Sequence, residues 1–200
     1  MAKQPAIWRI NEIVIASVLA VACAVVFALW NLGVYPATQT LLAATAPQFM
    51  SLIGGGWLIA GTLGALIIRK PGAALYCEVL ASVISVFIGP GSWGMQILIS
   101  GLIQGTAAEL AFALFLYRKW NLAVALLAGA ISGFAMSTSE LFIYYAGQFT
   151  FANQAIYALS GTFSGLVIAG LLMWLLTRAL AATGVLDPLA SGGARRRKAA

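Results

Sequence analysis

Apolar stretches of about 20 residues recur along the whole 200-residue chain, and a helix of about that length crosses ~30 Å of hydrocarbon. Lipid, not water, is the solvent this sequence is built for. Only 8% of the residues are charged and 62% are hydrophobic, far from the surface chemistry of a soluble domain. The runs are continuous and not alternating, which argues against a β-barrel. The expected fold is an all-α membrane protein of six transmembrane helices. The spans run roughly Ile10–Trp30, Gln48–Ile68, Ala73–Ile88, Trp93–Leu116, Leu122–Ala146 and Gln154–Ala182. Residues 1–186 then form one transmembrane domain, and 187–200 a basic tail expected to be disordered.

Charge fixes the orientation. Lys3 and Arg9 precede span one, Arg69 and Lys70 join two to three, and Arg118 and Lys119 join four to five. Arg178, Arg195, Arg196, Arg197 and Lys198 lie at or beyond the end of span six. The other three connections are uncharged. The positive-inside rule puts both termini in the cytoplasm, and an even number of spans satisfies it. The net charge of +6 reflects this asymmetry, so "RRRK" reads as a topology signal beside anionic lipid and not as a nucleic-acid-binding element. The segment Asn31–Pro47 is too apolar for a free linker and is expected to fold back as a lid or re-entrant segment.

Three glutamates fall inside spans. Glu78 is eight residues from Lys70 and Glu109 nine from Arg118, hence ~12–13 Å from the basic side at the helical rise. Glu140 is nineteen residues beyond Asn121, ~28 Å from that side. Glu12 and Asp187 have surface or capping explanations. An ionised carboxylate in mid-bilayer is costly and normally has a basic partner. No Lys or Arg lies mid-span, and the chain has no histidine. Packing through one neutral glutamate is common. Three together favour a cationic ligand, or a proton or metal-ion path. Gln104 lies near Glu109, and Trp57, Trp93, Gln96, Tyr144 and Tyr145 cluster toward the far side. Rings and amides of this kind suit a flat, positively charged aromatic ligand, although Trp and Tyr also mark lipid interfaces.

Small residues recur at packing intervals: Ala16, Ala20, Ala24 and Ala28 in span one, Gly101 and Gly105 in span four, Gly129 and Gly133 in span five, Gly161 and Gly165 in span six. Such stripes let helices approach closely. No P-loop, HExxH, GxSxG or cysteine pair at metal spacing is present. The chain is therefore expected to have no catalytic residues, metal centre, cofactor or ATPase of its own.

The segments "GGGWLIAGTLGALIIRKPGAALYCEVLAS", "GLIQGTAAELAFALF" and "STSELFIYYAG" resemble the YkoE family. Its members are substrate-binding S components of energy-coupling-factor (ECF) importers, associated with thiamin and its hydroxymethylpyrimidine precursor. The resemblance implies a six-helix S component in the bacterial cell membrane. It would capture its vitamin from outside and deliver it through a transmembrane T component and two cytoplasmic ATPases. It also implies docking on the T component through the first-helix alanines Ala16, Ala20, Ala24 and Ala28. Substrate contacts are expected from Glu109, Glu78, Gln104, Glu140, Trp57, Gln96, Trp93, Tyr144 and Tyr145, with a carboxylate facing the thiazolium or the aminopyrimidine. The rival reading is a stand-alone proton- or cation-coupled carrier or channel working through the intramembrane glutamates.

Overall fold

The computed structural model describes residues 7–88, 94 and 96–192. Lys3, the segment Gly89–Trp93 and the last eight residues lie outside the described residues. Six helices are present among those described: α1 Ile10–Leu42, α2 Pro47–Ile68, α3 Ala73–Ile88, α4 Gln96–Ala113, α5 Leu122–Ile143 and α6 Phe151–Thr183. Five are long and apolar enough to cross a membrane, while α3 has 16 residues, or ~24 Å. Large apolar side chains point outward on every face, among them Val18, Val25, Phe87, Leu110, Phe142, Leu159 and Phe163. A water-soluble monomer would not expose such surface. In lipid it is the expected exterior.

Helix α2 is the axis of the bundle. Every residue from Ile59 to Ile68 is buried, and α1, α3, α4 and α6 pack around it. Gly61, Gly64, Ala60 and Ala65 make this possible, because neighbouring helices come to contact distance only against small residues. Cys77 of α3, for example, occupies the space that a Cβ on Gly64 would need. The first half of α2, Pro47–Trp57, is wound as a tighter 3-10 helix. It is held to α6 by hydrogen bonds from Ser51 Oγ to the Tyr157 carbonyl and from Gly55 N to Ser164 Oγ.

Three expectations are corrected. The Asn31–Pro47 segment is not a lid. Helix α1 continues through a π turn at Trp30–Val34 and on as α-helix to Leu42, with Pro36 at a first-turn position that needs no N–H donor. The alanine stripe is not a surface. Ala16, Ala20 and Ala24 are 0% exposed and Ala28 is 4% exposed, packed against α2 and α3, which leaves no room at these positions for a partner's helix. The described part of the tail, residues 187–192, packs on the bundle: Leu189 is buried against α1 and α2 and Arg69 reaches the Ala190 carbonyl.

At the basic end the chain is tightly tied. Glu12 forms a salt bridge of 2.6 Å with the buried Lys70 while also accepting from Arg9 N, so it does more than cap α1. Lys70 also donates to the Ile7 carbonyl and Trp8 to that of Pro71. Helices α5 and α6 run antiparallel with backbones almost touching: a Cβ on Gly165 would fall on the Gly129 carbonyl, and one on Gly133 on the Gly161 carbonyl. Gly165→Ala should therefore lower stability by about 1–3 kcal/mol, the range for overpacking, despite alanine's better helix propensity. Gly33→Ala, with nothing within 4 Å of the new methyl, should not lower it. Thermal unfolding in detergent distinguishes the two.

Candidate ligand site

The six helices enclose one partly open cavity of ≈ 180 Å³, toward the end of the bundle away from the Arg69–Gly72 turn. Each helix contributes to its wall. Asn31 and Tyr35 come from the π turn of α1 and its exit. Gly54 and Trp57 come from the 3-10 half of α2, Ser82 and Ser85 from α3, and Ser100 and Gln104 from α4. Glu140 ends α5, with Tyr144 and Tyr145 just beyond it, and Tyr157 comes from the first turns of α6.

The wall is aromatic and nearly uncharged. Tyr35 packs against Trp57 with ring centres 5.8 Å apart, and Trp57 donates to Asn31 Oδ1 at 2.9 Å. Tyr145 and Tyr157 lie 5.4 Å apart. Tyr144, at the α5 exit, and Ser100 of α4 both face the cavity. Among the described residues, Glu140 is the sole acid of the lining, which holds no Lys or Arg. Its Oε2 accepts from the Tyr157 hydroxyl at 2.7 Å, which fixes the carboxylate and leaves acceptor capacity for something inside the cavity.

The other two acids expected here are elsewhere. Glu109 does not line the cavity. It reaches from α4 to the start of α3, accepting from Gly72 N at 2.6 Å, Ala74 N at 2.8 Å and Leu75 N at 3.3 Å. These are the amides that a helix N-terminus leaves without a partner, so Glu109 caps α3 from another helix. Tyr117 borders it: burial, and then Glu109, push the Tyr117 hydroxyl up to about 12, so it stays protonated beside the carboxylate. Glu78 is 1% exposed and its Oε2 accepts from Gly61 N at 2.6 Å. Gly61 lies in the first turn of the α-helical half of α2, where the 3-10 winding ends. Glu78 is thus also a cap supplied by a neighbouring helix. No basic side chain is involved in either case.

Of the residues expected in the site, Glu140, Gln104, Trp57, Tyr144 and Tyr145 are brought together. Gln96 is exposed at the start of α4 and does not line the cavity, and Trp93 is outside the described residues. Asn31 and Tyr35 were missed because Gly33 and Pro36 disguise helix as loop. A signal did exist for Ser82 with Ser85 and for Ser100 with Gln104, since pairs three or four apart share a helix face.

Comparison with known proteins places this architecture. Residues 11–135 match the family model described as ABC-type cobalt transport system, permease component. A Bacillus subtilis (strain 168) protein that carries the name HMP/thiamine permease protein YkoE is 33% identical over 192 residues, covering 96% of this chain and 94% of that protein. A crystal structure of an S component of an ECF transporter superposes with a TM-score of 0.86 at 32% identity, covering 96% of this chain and 95% of that one. The chain belongs to the YkoE family of S components. It is a multi-pass membrane transport protein and not an enzyme.

An S component binds a substrate, and this cavity is the candidate place for it. Glu109 and Glu78 belong to the scaffold, while Glu140 lines the cavity. Glu109→Ala should lower stability by about 3 kcal/mol, since buried or half-buried amides left without acceptors cost ~1–3 kcal/mol each. Glu140→Gln, which keeps an acceptor for Tyr157, should stay within about 1 kcal/mol of the parent. Unfolding midpoints of the two variants check this contrast.

Proposed function

We propose that this S component captures thiamin or its hydroxymethylpyrimidine precursor from the outer side of the membrane and passes it inward with a T component and two ATPase subunits. The observation that supports the ligand most is the lining itself: one carboxylate, Glu140, among the rings of Phe27, Tyr35, Trp57, Tyr144, Tyr145 and Tyr157. A flat aromatic cation gains stacking and cation–π contact from such a wall. The carboxylate balances a thiazolium or accepts from an aminopyrimidine, and Asn31 and Gln104 provide amides for ring nitrogens. The name of the related YkoE permease points to the same compounds.

The outer opening of the cavity follows from charge. Arg69, Lys70, Arg118, Lys119 and Arg178 belong to the opposite end, which the positive-inside rule assigns to the cytoplasm together with both termini. Contact with the T component has to use surface other than Ala16, Ala20, Ala24 and Ala28, all of which are interior. A metal-ion cargo, suggested by the cobalt in the family model's description, fits this lining less well. Imidazole and thiolate ligands are absent from it, and no cluster of three candidate ligands occurs among the described residues. The stand-alone carrier is also less favoured, because two of its three supposed relay acids are committed to backbone amides.

Titration of purified protein with thiamin and hydroxymethylpyrimidine, followed by tryptophan fluorescence and calorimetry, tests the ligand. Saturable binding should appear with at least one of them, and its absence with both would remove the assignment. Glu140→Gln should weaken thiamin binding roughly ten- to a hundredfold, the loss of a charged hydrogen bond, while Glu109→Gln should leave the affinity of the folded protein nearly unchanged. Thiamin phosphates should bind more weakly than thiamin, since the lining has a negative group and no cation to receive a phosphate. In proteoliposomes the isolated chain should not accumulate thiamin under an ion gradient.

A further inference from the structure

Two cations at the basic end sit on aromatic rings with no acid beside them. Lys119 Nζ lies 5.2 Å from the centre of the Phe115 ring, and Arg178 Cζ lies 4.7 Å from that of Trp174. The two rings that carry them, Phe115 and Trp174, pack against the same buried group. Gly170 rests against Ala125 and Leu126, so Trp174, one turn on, comes level with the start of α5. It joins Phe115, Tyr117 and Trp120 around the buried group of Phe112, Val124, Ala125 and Ala128. Arg178 lies a further turn along α6, over the Trp174 ring, and Arg118 and Lys119 lie in the α4–α5 loop.

All three cations are exposed. Among the described residues the one salt bridge is that of Lys70 with Glu12, so neither Lys119 nor Arg178 has an ionic partner there. The neighbouring acid, Glu109, is engaged by the amides of α3. The surface below the patch is apolar and faces outward: Leu114 and Leu116 are each 68% exposed and Leu175 is 47% exposed. Membrane topology alone calls for positive charge at this end. It does not call for cations seated on rings above a continuous greasy surface.

We propose that this patch binds the headgroup of an acidic phospholipid, with Lys119 and Arg178 flanking the phosphate. The shelf of Phe115, Trp120 and Trp174 takes the glycerol and the first acyl carbons. Charge complementarity selects the headgroup, and the exposed leucines continue the contact along the chains; basic pockets at the ends of transmembrane helices suit anionic headgroups in this way. A lipid is favoured over a protein partner because the exposed Leu114, Leu116 and Leu175 near these cations continue the apolar exterior of the bundle. The site is separate from the cavity and does not depend on what the cavity holds.

The test titrates phosphatidylglycerol and phosphatidylcholine into delipidated protein in detergent and counts bound lipid by native mass spectrometry. Wild type should retain phosphatidylglycerol in preference to phosphatidylcholine. The Lys119→Gln/Arg178→Gln pair should lose roughly thirtyfold in apparent affinity, about fivefold per cation, while Arg9→Gln, outside the patch, should not. Equal retention of the two lipids by wild type, or an unchanged affinity in the double variant, overturns the proposal. Should the double variant not fold, wild type alone still decides: retention of phosphatidylglycerol must fall as ionic strength rises, and a salt-independent retention overturns the site. A double variant that keeps the lipid but no longer associates with the other transporter subunits would assign the patch to a protein and not to lipid.

Discussion

The bundle depends on carboxylates that answer backbone amides inside the membrane. In hydrocarbon every N–H needs a partner from the protein itself, and a helix start leaves several without one. This fold has two such starts within or near its apolar layer: at Gly61, where α2 changes from 3-10 to α winding, and at Gly72–Leu75, where α3 begins. Glu78 and Glu109 meet them from adjacent helices. A lone acid at mid-bilayer costs ~2.5–3.5 kcal/mol on insertion scales. Each hydrogen bond from an amide recovers ~0.5–1.5 kcal/mol, and more where the acceptor is charged. Glu109 makes three such bonds and Glu78 one, so the acid and the broken helix offset each other in part.

That arrangement positions the cavity. Winding the first half of α2 as 3-10 helix brings Gly54 and Trp57 to the wall, and that winding is what makes a new α-helical start at Gly61 necessary. Glu78 then ties α2 to α3 about one turn below Ser82, on the wall's floor, and Glu109 ties α3 to α4 at the other end. With these two acids committed, Glu140 is left as the one carboxyl group facing the lumen among the described residues. Its companion Tyr157 is fixed in turn by packing with Tyr145 and Phe149. The cavity is thus electrically simple because the scaffold absorbs the remaining carboxylates.

Much of the topology was legible in the residues. Continuous apolar runs gave six helices, because their number follows from hydrophobic thickness alone. The roles of Glu109 and Glu78 were not legible. Counting side chains finds no cation for them, but their partners are backbone amides, which a composition does not display. Gly33 and Pro36 made the α1 extension read as a loop, although a proline early in a helical segment is tolerated, and so Asn31 and Tyr35 were hidden. The alanine stripe was visible, but its direction was not: small residues at every fourth position serve an internal neighbour or an external one equally well, and here α2 and α3 are the neighbours.

The distribution of charge has a consequence for how such a subunit handles a cation. The cavity wall holds a single negative group and no positive one, while the basic residues are gathered at the opposite end, where Lys70 is neutralised by Glu12 and Arg118, Lys119 and Arg178 face outward. An organic cation entering from the far end therefore meets attraction first and positive potential only beyond the cavity. Between the two lies the buried core of α2, with Ile59 to Ile68 closed to solvent. A ligand held at Glu140 has no polar route through the chain toward the basic end in this conformation. Under the proposed function, release on that side needs the cavity itself to be reoriented or opened by a change in helix packing, and the close α5–α6 contact and the carboxylate-capped α2–α3–α4 unit favour movement of the bundle as a rigid whole.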